Sequence, residues 1–195
     1  MADKLGHDTA LANDRTALAN EVATAFDQYR QIDTKDHGRI WAYEVDGYGN
    51  TLRMDDANAP GLASLAYLRC VAPDQRAVYE RSRAFALSTD NPYLFRGTAA
   101  EVSGGPHIGL GYIWPMGIMF RAFSSTNKKE IVQCLRWLRD TTAGTYFMHE
   151  PFWQDDPAKY HASGSPGPRL SSVNSSSTWP YEAPHFFVPA LLALL

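Results

Sequence analysis

The uneven distribution of charge along the chain is the sequence feature that most constrains its fold. Of 18 basic and 21 acidic residues, all but Arg169 and Glu182 lie in residues 1–160. Residues 161–195 are instead rich in serine and proline and show no apolar periodicity, which is typical of a segment that builds no core. We therefore expect residues 1–160 to form the folded domain and residues 161–195 to be a tail of different character.

Within residues 1–160, the apolar spacing predicts helices joined by long loops. Proline, capping and periodicity signals place these helices at residues 8–33, 60–70, 73–88 and 114–124, and from Asn127 to Gly144. Asn127 and Glu130 have the spacing of a capping box. Two short strands are expected at residues 39–45 and 51–54, around turn residues 46–50. The residues alone thus predict an all-α fold with a short β-hairpin and long loops.

Charge, hydropathy and cysteine content exclude several classes of protein. The formal net charge is −3, so the chain has no strong basic field for a nucleic-acid backbone. No apolar run reaches the roughly 18 residues that a membrane span requires. Cys70 and Cys134 both fall in apolar helical contexts without metal-ligand spacing, and we expect both to be buried free thiols.

Three short segments carry side chains suited to binding a sugar. Aromatic residues make up 12% of the chain, and sugars stack on aromatic rings while carboxylates accept from their hydroxyls. Asp55, Asp56 and Asn58 are close together before Pro60, although helix capping would also explain them. His107 follows Gly104 and Gly105, which allow close backbone approach, although a single histidine is often structural.

The third segment contains a carboxylate beside a histidine and aromatic residues. His149 and Glu150 precede Phe152 and Trp153, and apolar neighbours can raise the pKa of a carboxyl group into the range of an acid/base catalyst. A zinc-binding motif would need histidine at position 153, which Trp153 occupies. A His-Glu pair alone is a weak indication of a functional site, so this segment supports sugar binding only in combination with the other two segments.

The motifs together resemble glycoside hydrolase family 125, the exo-acting α-1,6-mannosidases. The similarity covers about residues 9–160, in order along the chain. It is carried by residues 41–50 (WAYEVDGYGN) and 54–58 (MDDAN), by Gly104–His107 with residues 112–116 (YIWPM), and by Met148–Glu150 with Asp155–Pro157.

The resemblance implies a fold, an activity and roles for individual residues. The fold would be a partial (α/α)6 barrel of the six-hairpin glycosidase type. The activity would be inverting hydrolysis of terminal α-1,6-linked mannose from an oligosaccharide or glycan, without metal or cofactor. Glu150 matches the position of a general base. The residues implied to bind mannose are Asp55, Asp56, Asn58, His107, Trp114 and His149.

The resemblance also implies that the chain corresponds to the C-terminal portion of a longer family protein. The family's general acid lies in a motif that this sequence does not contain. An incomplete barrel would expose apolar helix faces, so we expect the chain to associate or to be poorly soluble. Two alternatives stay open: a non-catalytic mannose-binding or interaction protein, and a related helical-barrel glycosidase that acts on another sugar.

The tail admits two interpretations. Codon degeneracy permits residues 161–178, read two nucleotides later, to encode a string similar to the family's next segment. This favours a frameshift, mis-splice or sequencing error near residue 160. The competing interpretation is a genuine disordered tail, which would also have low charge and no periodicity.

Overall fold

The computed structural model of the chain describes residues 6–160, and every structural statement below refers to them. They contain four α-helices and a short 3-10 helix, Pro73–Gln75. The α-helices are α1 (Thr9–Tyr29), α2 (Arg76–Ala86), α3 (Pro115–Phe123) and α4 (Lys128–Asp140). The strands are β1 (Gln31–Thr34), β2 (Gly38–Trp41), β3 (Glu44–Val45), β4 (Thr51–Leu52), β5 (Leu94–Arg96), β6 (Glu101–Ser103), β7 (Tyr112–Ile113), β8 (Phe152–Trp153) and β9 (Asp156–Tyr160).

The expected all-α fold, a partial (α/α)6 barrel, is wrong for these residues. Four small antiparallel sheets accompany the helices, with strand orders β1-β2, β3-β4, β5-β6 and β7-β8-β9. Much of the sheet structure lies in segments of two to five residues, which are too short to show a period in the sequence. The segment between the predicted helices 73–88 and 114–124 contains the whole of the β5-β6 hairpin.

The first predicted helix ends four residues early, because the chain turns into a hairpin. Helix α1 is followed at once by β1, which pairs with β2 so that Ile32 lies opposite Ile40. Arg30 at the junction is buried, and its guanidinium lies 3.6 Å from the ring centroid of Trp41. Burial lowers the pKa of Arg30.

The predicted helix at residues 60–70 is also wrong. This segment forms successive turns, and Arg69 has a φ of 60°, a left-handed conformation that ends any helical path. The predicted turn at residues 46–50 is confirmed. Asp46 Oδ1 accepts from the backbone N–H groups of Tyr48 (2.8 Å) and Asn50 (3.0 Å) between β3 and β4.

The remaining helix predictions are confirmed, except that α4 ends at Asp140, four residues before the predicted stop at Gly144, and that its cap differs. Residues 73–88 contain the 3-10 turn and α2, residues 114–124 contain α3 with Pro115 in its first turn, and α4 follows Asn127. Asn127 Oδ1 accepts from the N–H of Lys129 at 2.9 Å, as an N-cap should. The Asn127 N–H, however, donates to Ser125 Oγ at 3.0 Å, and Glu130 binds Arg121 and Ser125.

The chain divides into two compact units, each with its own core. Within the described residues, the first unit comprises 6–55 and 60–92, and the second comprises 56–59 and 93–160. The first core is built from Ile40, Trp41, Leu62, Tyr79, Phe85 and Ala86. The second core is built from Ala100, Val102, Ile113, Ile118, Ala122, Cys134 and Phe152.

The cysteine prediction is half right. Cys134 is buried in the second core as expected, but Cys70 is exposed because its segment forms turns rather than a packed helix.

Two further expectations concern the membrane and the tail. Among residues 6–160, no helix is both long enough and apolar enough to cross a bilayer. The predicted boundary at residue 160 and the interpretations of residues 161–195 lie outside the described residues.

We predict that Phe85→Ala lowers the free energy of unfolding by about 3–5 kcal/mol, because it leaves a cavity in the first core. Phe85 is 1% exposed and makes an edge-on contact with the His37 ring at 5.6 Å. Urea denaturation measures the effect. Tyr48→Ala is the control, since Tyr48 is 93% exposed and should change stability little. Equal effects of the two substitutions would contradict this assignment of the core.

Candidate functional site

A close backbone crossing at Ser103–Gly105 organises the candidate site in the second unit. The N–H of Gly104 donates to the carbonyl of Tyr93 (3.0 Å), and its carbonyl accepts from the N–H of Ala57 (2.9 Å). The carbonyl of Ser103 accepts from the N–H of Trp114 at 3.4 Å. Residues 56–59, 93–95 and 112–114 are thus fixed to one short stretch of backbone.

Two neighbouring glycines at this crossing serve different purposes. A Cβ atom on Gly104 would lie 1.9 Å from the carbonyl oxygen of Tyr112 and 2.6 Å from the Phe95 ring, so no side chain fits there. A Cβ atom on Gly105 would lie 3.4 Å from the His107 ring and 3.5 Å from Asp56 Oδ2, which are ordinary contacts. Gly104 therefore permits the crossing, and the space beside the Gly105 backbone is bordered by Asp56 and His107.

Asp56 and Asn58 form a local pair on one side of that space. Asp56 is 6% exposed, and its Oδ1 accepts from the Asn58 backbone N–H at 2.8 Å. Its Oδ2 accepts from the Asn58 side-chain amide at 2.9 Å. These bonds hold the carboxylate in one orientation, with Oδ2 towards Gly105.

His107 and Trp114 form the other side. The two rings meet edge to face, with centroids 4.8 Å apart at an angle of 81°. His107 is exposed, whereas Trp114 is 8% exposed. The indole N–H of Trp114 is buried and has no acceptor among residues 6–160. The structure therefore brings together four of the predicted residues: Asp56, Asn58, His107 and Trp114.

Asp55 has a different environment, within the first unit. It is 1% exposed, and its Oδ1 accepts from the N–H of Leu62 at 2.6 Å while Oδ2 accepts from that of Ala63 at 3.4 Å. Its own N–H donates to Asn91 Oδ1 at 3.1 Å. Both carboxylate oxygens are thus engaged in holding the turns that begin at Gly61, which is the capping role that the sequence left open.

His149 lies after α4 in a separate set of contacts. Its Nε2 is 3.2 Å from both the carbonyl oxygen of Thr142 and the hydroxyl of Thr145, and its ring stacks on Tyr160 at 3.7 Å. Burial lowers the pKa of His149. The neutral ring is therefore favoured, with its N–H available to donate to these oxygens.

Glu150 is the least constrained of the predicted site residues. Its side chain is exposed and makes no hydrogen bond or ion pair with any residue from 6 to 160. The following Pro151 is fully buried, so the backbone at this point is anchored while the carboxylate faces outwards.

Sequence reasoning missed Gly117 as a residue of this region. A Cβ atom there would lie 2.9 Å from the carbonyl oxygen of Ser103 and 3.1 Å from the Cβ of Ala57, so α3 packs directly on the crossing. The signal was available, because an isolated glycine inside a predicted helix often marks a close approach.

A metal centre is not formed by the residues in the described range. Among residues 6–160, no three His, Cys, Asp or Glu side chains converge in an arrangement that could hold a metal ion.

We predict that Gly104→Ala lowers the free energy of unfolding by about 3 kcal/mol, the upper part of the range for overpacking, because its methyl group meets fixed backbone. Gly105→Ala is the matched control. It changes stability by less than about 1 kcal/mol, since its methyl group meets only side chains at contact distance. Chemical denaturation of the two variants measures the difference, and equal stability of both would contradict the crossing.

We also predict that the stability of the chain depends on the protonation of His149. The unfolded chain takes up the proton near pH 6.5, whereas burial keeps the folded ring neutral to lower pH. Stability is therefore unaffected well above pH 6.5 and falls as the pH drops through that value. Thermal unfolding of the wild type and His149→Gln between pH 7.5 and 5 should show the larger loss in the wild type. Parallel pH profiles would refute this.

Comparison with known proteins supports the resemblance seen in the sequence. The family model described as "Metal-independent alpha-mannosidase (GH125)" matches residues 1–163. The "Meiotically up-regulated gene 157 protein" of Schizosaccharomyces pombe is 45% identical over 139 residues. A solved metal-independent α-mannosidase of Streptococcus pneumoniae, in a non-productive complex with α-1,6-mannobiose, is 33% identical with a TM-score of 0.74.

The chain spans only part of these relatives. The matched region covers 70% of this chain and 27% of the yeast protein, and 82% of this chain and 38% of the solved mannosidase. The family model nevertheless matches most of the chain, and the motifs that carry the resemblance lie within that match. The chain therefore belongs to glycoside hydrolase family 125, the metal-independent α-mannosidases.

Proposed function

We propose that the chain carries the mannose-binding part and the general base of an exo-acting α-mannosidase that hydrolyses terminal α-1,6-linked mannose with inversion. The observation that carries the proposal is the grouping of Asp56, Asn58, His107 and Trp114 around Gly105 in a chain of this family. The mannobiose complex of the Streptococcus pneumoniae relative supports the substrate class.

The chemistry of the group suits a sugar hydroxyl pattern. The fixed carboxylate of Asp56 accepts hydrogen bonds from hydroxyl groups, and Asn58 and His107 offer further polar atoms. Trp114 contributes an apolar ring and a buried N–H without an acceptor among residues 6–160.

Glu150 enters the proposal as the general base. An inverting glycosidase needs a carboxylate that takes a proton from the attacking water on the face of the sugar opposite the leaving group. An exposed carboxylate on an anchored backbone, free of any bond to residues 6–160, is available for that water. We propose that the neighbouring His149, held by Thr142 and Thr145, contributes a neutral ring to substrate binding.

The general acid is not assigned to any residue of this chain. In the proposed mechanism the acid protonates the leaving oxygen and belongs to the part of the family domain that this chain does not span. Loss of one such group typically costs about 10²–10⁴ in rate. We therefore expect the isolated chain to hydrolyse α-1,6-mannobiose very slowly.

A substrate that needs no acid separates the base from the rest of the mechanism. We predict that the chain hydrolyses 2,4-dinitrophenyl α-mannoside in the presence of a metal chelator, because dinitrophenolate leaves without protonation. The corresponding α-glucoside should react more slowly. Glu150→Gln should lower the rate on the mannoside by about 10²–10⁴. Release of the phenolate measures the rate, and NMR of the first product should show the β-anomer of mannose.

The matched control is Glu80→Gln, an exposed glutamate on α2 that pairs with Arg76 at 2.5 Å and should leave the rate unchanged. Full activity of Glu150→Gln would remove Glu150 from the mechanism. A strong preference for the glucoside would favour a related glycosidase of other specificity.

A non-catalytic mannose-binding function is the second candidate, because the binding group is formed within one unit of the chain. Saturable binding of methyl α-mannoside that is lost in His107→Ala, without turnover of the activated substrate, would establish this function in place of catalysis.

A further inference from the structure

Glu150 lies between a firmly fixed part of the chain and a segment without regular structure. Two residues after Glu150, Phe152 is fully buried and pairs with Ile113 between β7 and β8. Before it, residues 141–149 lead from the end of α4 to Glu150 and contain no helix or strand. The contacts that hold this connecting segment therefore determine where the Glu150 carboxylate lies.

The connecting segment has an unfavourable backbone conformation. Ala143, Gly144 and Tyr146 have left-handed φ angles of 51°, 76° and 62°. Glycine adopts such angles readily, but alanine and tyrosine are strained there, and they keep these angles only where other contacts fix the surrounding backbone. The side chains of Tyr146, Phe147 and Met148 are 92%, 54% and 45% exposed, so their packing does not supply these contacts.

The hydroxyl group of Thr145 does supply such contacts. It donates to the carbonyl of Thr142 at 2.6 Å, and it accepts from the backbone N–H of Phe147 at 3.2 Å. The carbonyl of Phe147, at 3.4 Å, is the weaker acceptor for the same proton. The Thr145 hydroxyl oxygen also lies 3.2 Å from His149 Nε2. A hydroxyl has one proton and two lone pairs, so three of these bonds use its full capacity.

His149 extends this restraint to the residue next to Glu150. Its Nε2 is also 3.2 Å from the carbonyl oxygen of Thr142, and its ring stacks on that of Tyr160 in β9, with centroids 3.7 Å apart. The backbone before Glu150 is therefore held through Thr145 and Tyr160, as the backbone after it is held by burial.

We propose that Thr145 is a positioning residue, whose hydroxyl group fixes residues 142–149 and thereby places the Glu150 carboxylate for its action on water. Thr145 acts through the backbone and through His149 rather than on the substrate. The proposal rests on the proposed function of Glu150 as the general base. A misplacement of about 1 Å can cost about a hundredfold in rate, so loss of the hydroxyl should lower kcat.

Hydrogen exchange measured by mass spectrometry tests the restraint independently of activity. Thr145→Val keeps the shape of the side chain without the hydroxyl, and it should speed exchange in peptides that cover residues 142–150 by about three- to tenfold. Thr145→Ser keeps the hydroxyl and should exchange like the wild type. Unchanged protection of α4 in the same samples shows that each variant is folded.

Thr24→Val is the matched control for both measurements. The Thr24 hydroxyl also donates to a backbone carbonyl, that of Asn20 at 2.9 Å, but it lies on the exposed helix α1. The same chemical change there should alter neither exchange in residues 142–150 nor turnover.

Release of dinitrophenolate from 2,4-dinitrophenyl α-mannoside tests the consequence for Glu150. Thr145→Val should lower kcat by about ten- to a hundredfold and change KM by less than about threefold, because Asp56 and His107 are proposed to bind the sugar from other segments. Thr145→Ser should retain most of the wild-type kcat.

The two measurements separate this proposal from the proposed function. Wild-type exchange in Thr145→Val would overturn the positioning role. An unchanged kcat in Thr145→Val while Glu150→Gln is impaired would do the same, as would equal losses of kcat in Thr145→Val and Thr145→Ser. Full activity of Glu150→Gln, or no turnover by the wild type, would overturn the general base and the positioning role with it. Faster exchange in Thr145→Val would then still identify the restraint, so the failure would belong to the proposed function.

Discussion

The second unit depends on the close approach of backbone at Gly104. Its amide and carbonyl bind Tyr93 and Ala57, and the carbonyl of Tyr112 occupies the place where a side chain would be. Because peptide groups make these contacts directly, the crossing tolerates no residue larger than glycine. The positions of Asp56, His107 and Trp114 follow from it. Asp56 adjoins Ala57, His107 lies three residues after Gly104, and the N–H of Trp114 donates to the carbonyl of Ser103. A buried backbone junction thus positions an open polar group.

Two adjacent carboxylates show how strongly local hydrogen bonds decide the use of a side chain. Asp55 accepts from backbone N–H groups of Leu62 and Ala63, and the turns after Gly61 depend on it. Asp56 accepts from the backbone and side-chain N–H groups of Asn58, and its Oδ2 faces Gly105. Both residues are aspartates, five and four residues before Pro60 in the sequence, so composition and spacing could not distinguish them. The difference arises from which N–H groups the folded backbone offers to each.

The sequence predicted those elements whose signals are local. Helices α2, α3 and α4 each have an apolar face with helical periodicity. A proline marks the start of the segments that contain α2 and α3, and the cap Asn127 marks the start of α4. The strands pair residues that are distant in sequence, as when Tyr112 lies opposite Trp153, and a two-residue strand leaves no period to detect. The same limit applies to the site. Its motifs were visible in the sequence, but the position of Gly105 beside both Asp56 and His107 depends on the crossing at Gly104.

The fold expectation failed while the family resemblance was confirmed, and the location of the motifs explains why. Many of the matching residues lie on turns and short strands, including the Asp46–Asn50 turn, the loop through His107 and the strand at Tyr112–Ile113. Such segments carry the residues that identify the family, but they do not indicate how many helices surround them. Loops alone hold side chains loosely, but here antiparallel pairs such as β5-β6 and β7-β8 anchor them by backbone hydrogen bonds. In this chain the short strands therefore position the candidate site, and α3 supports it from behind through Gly117.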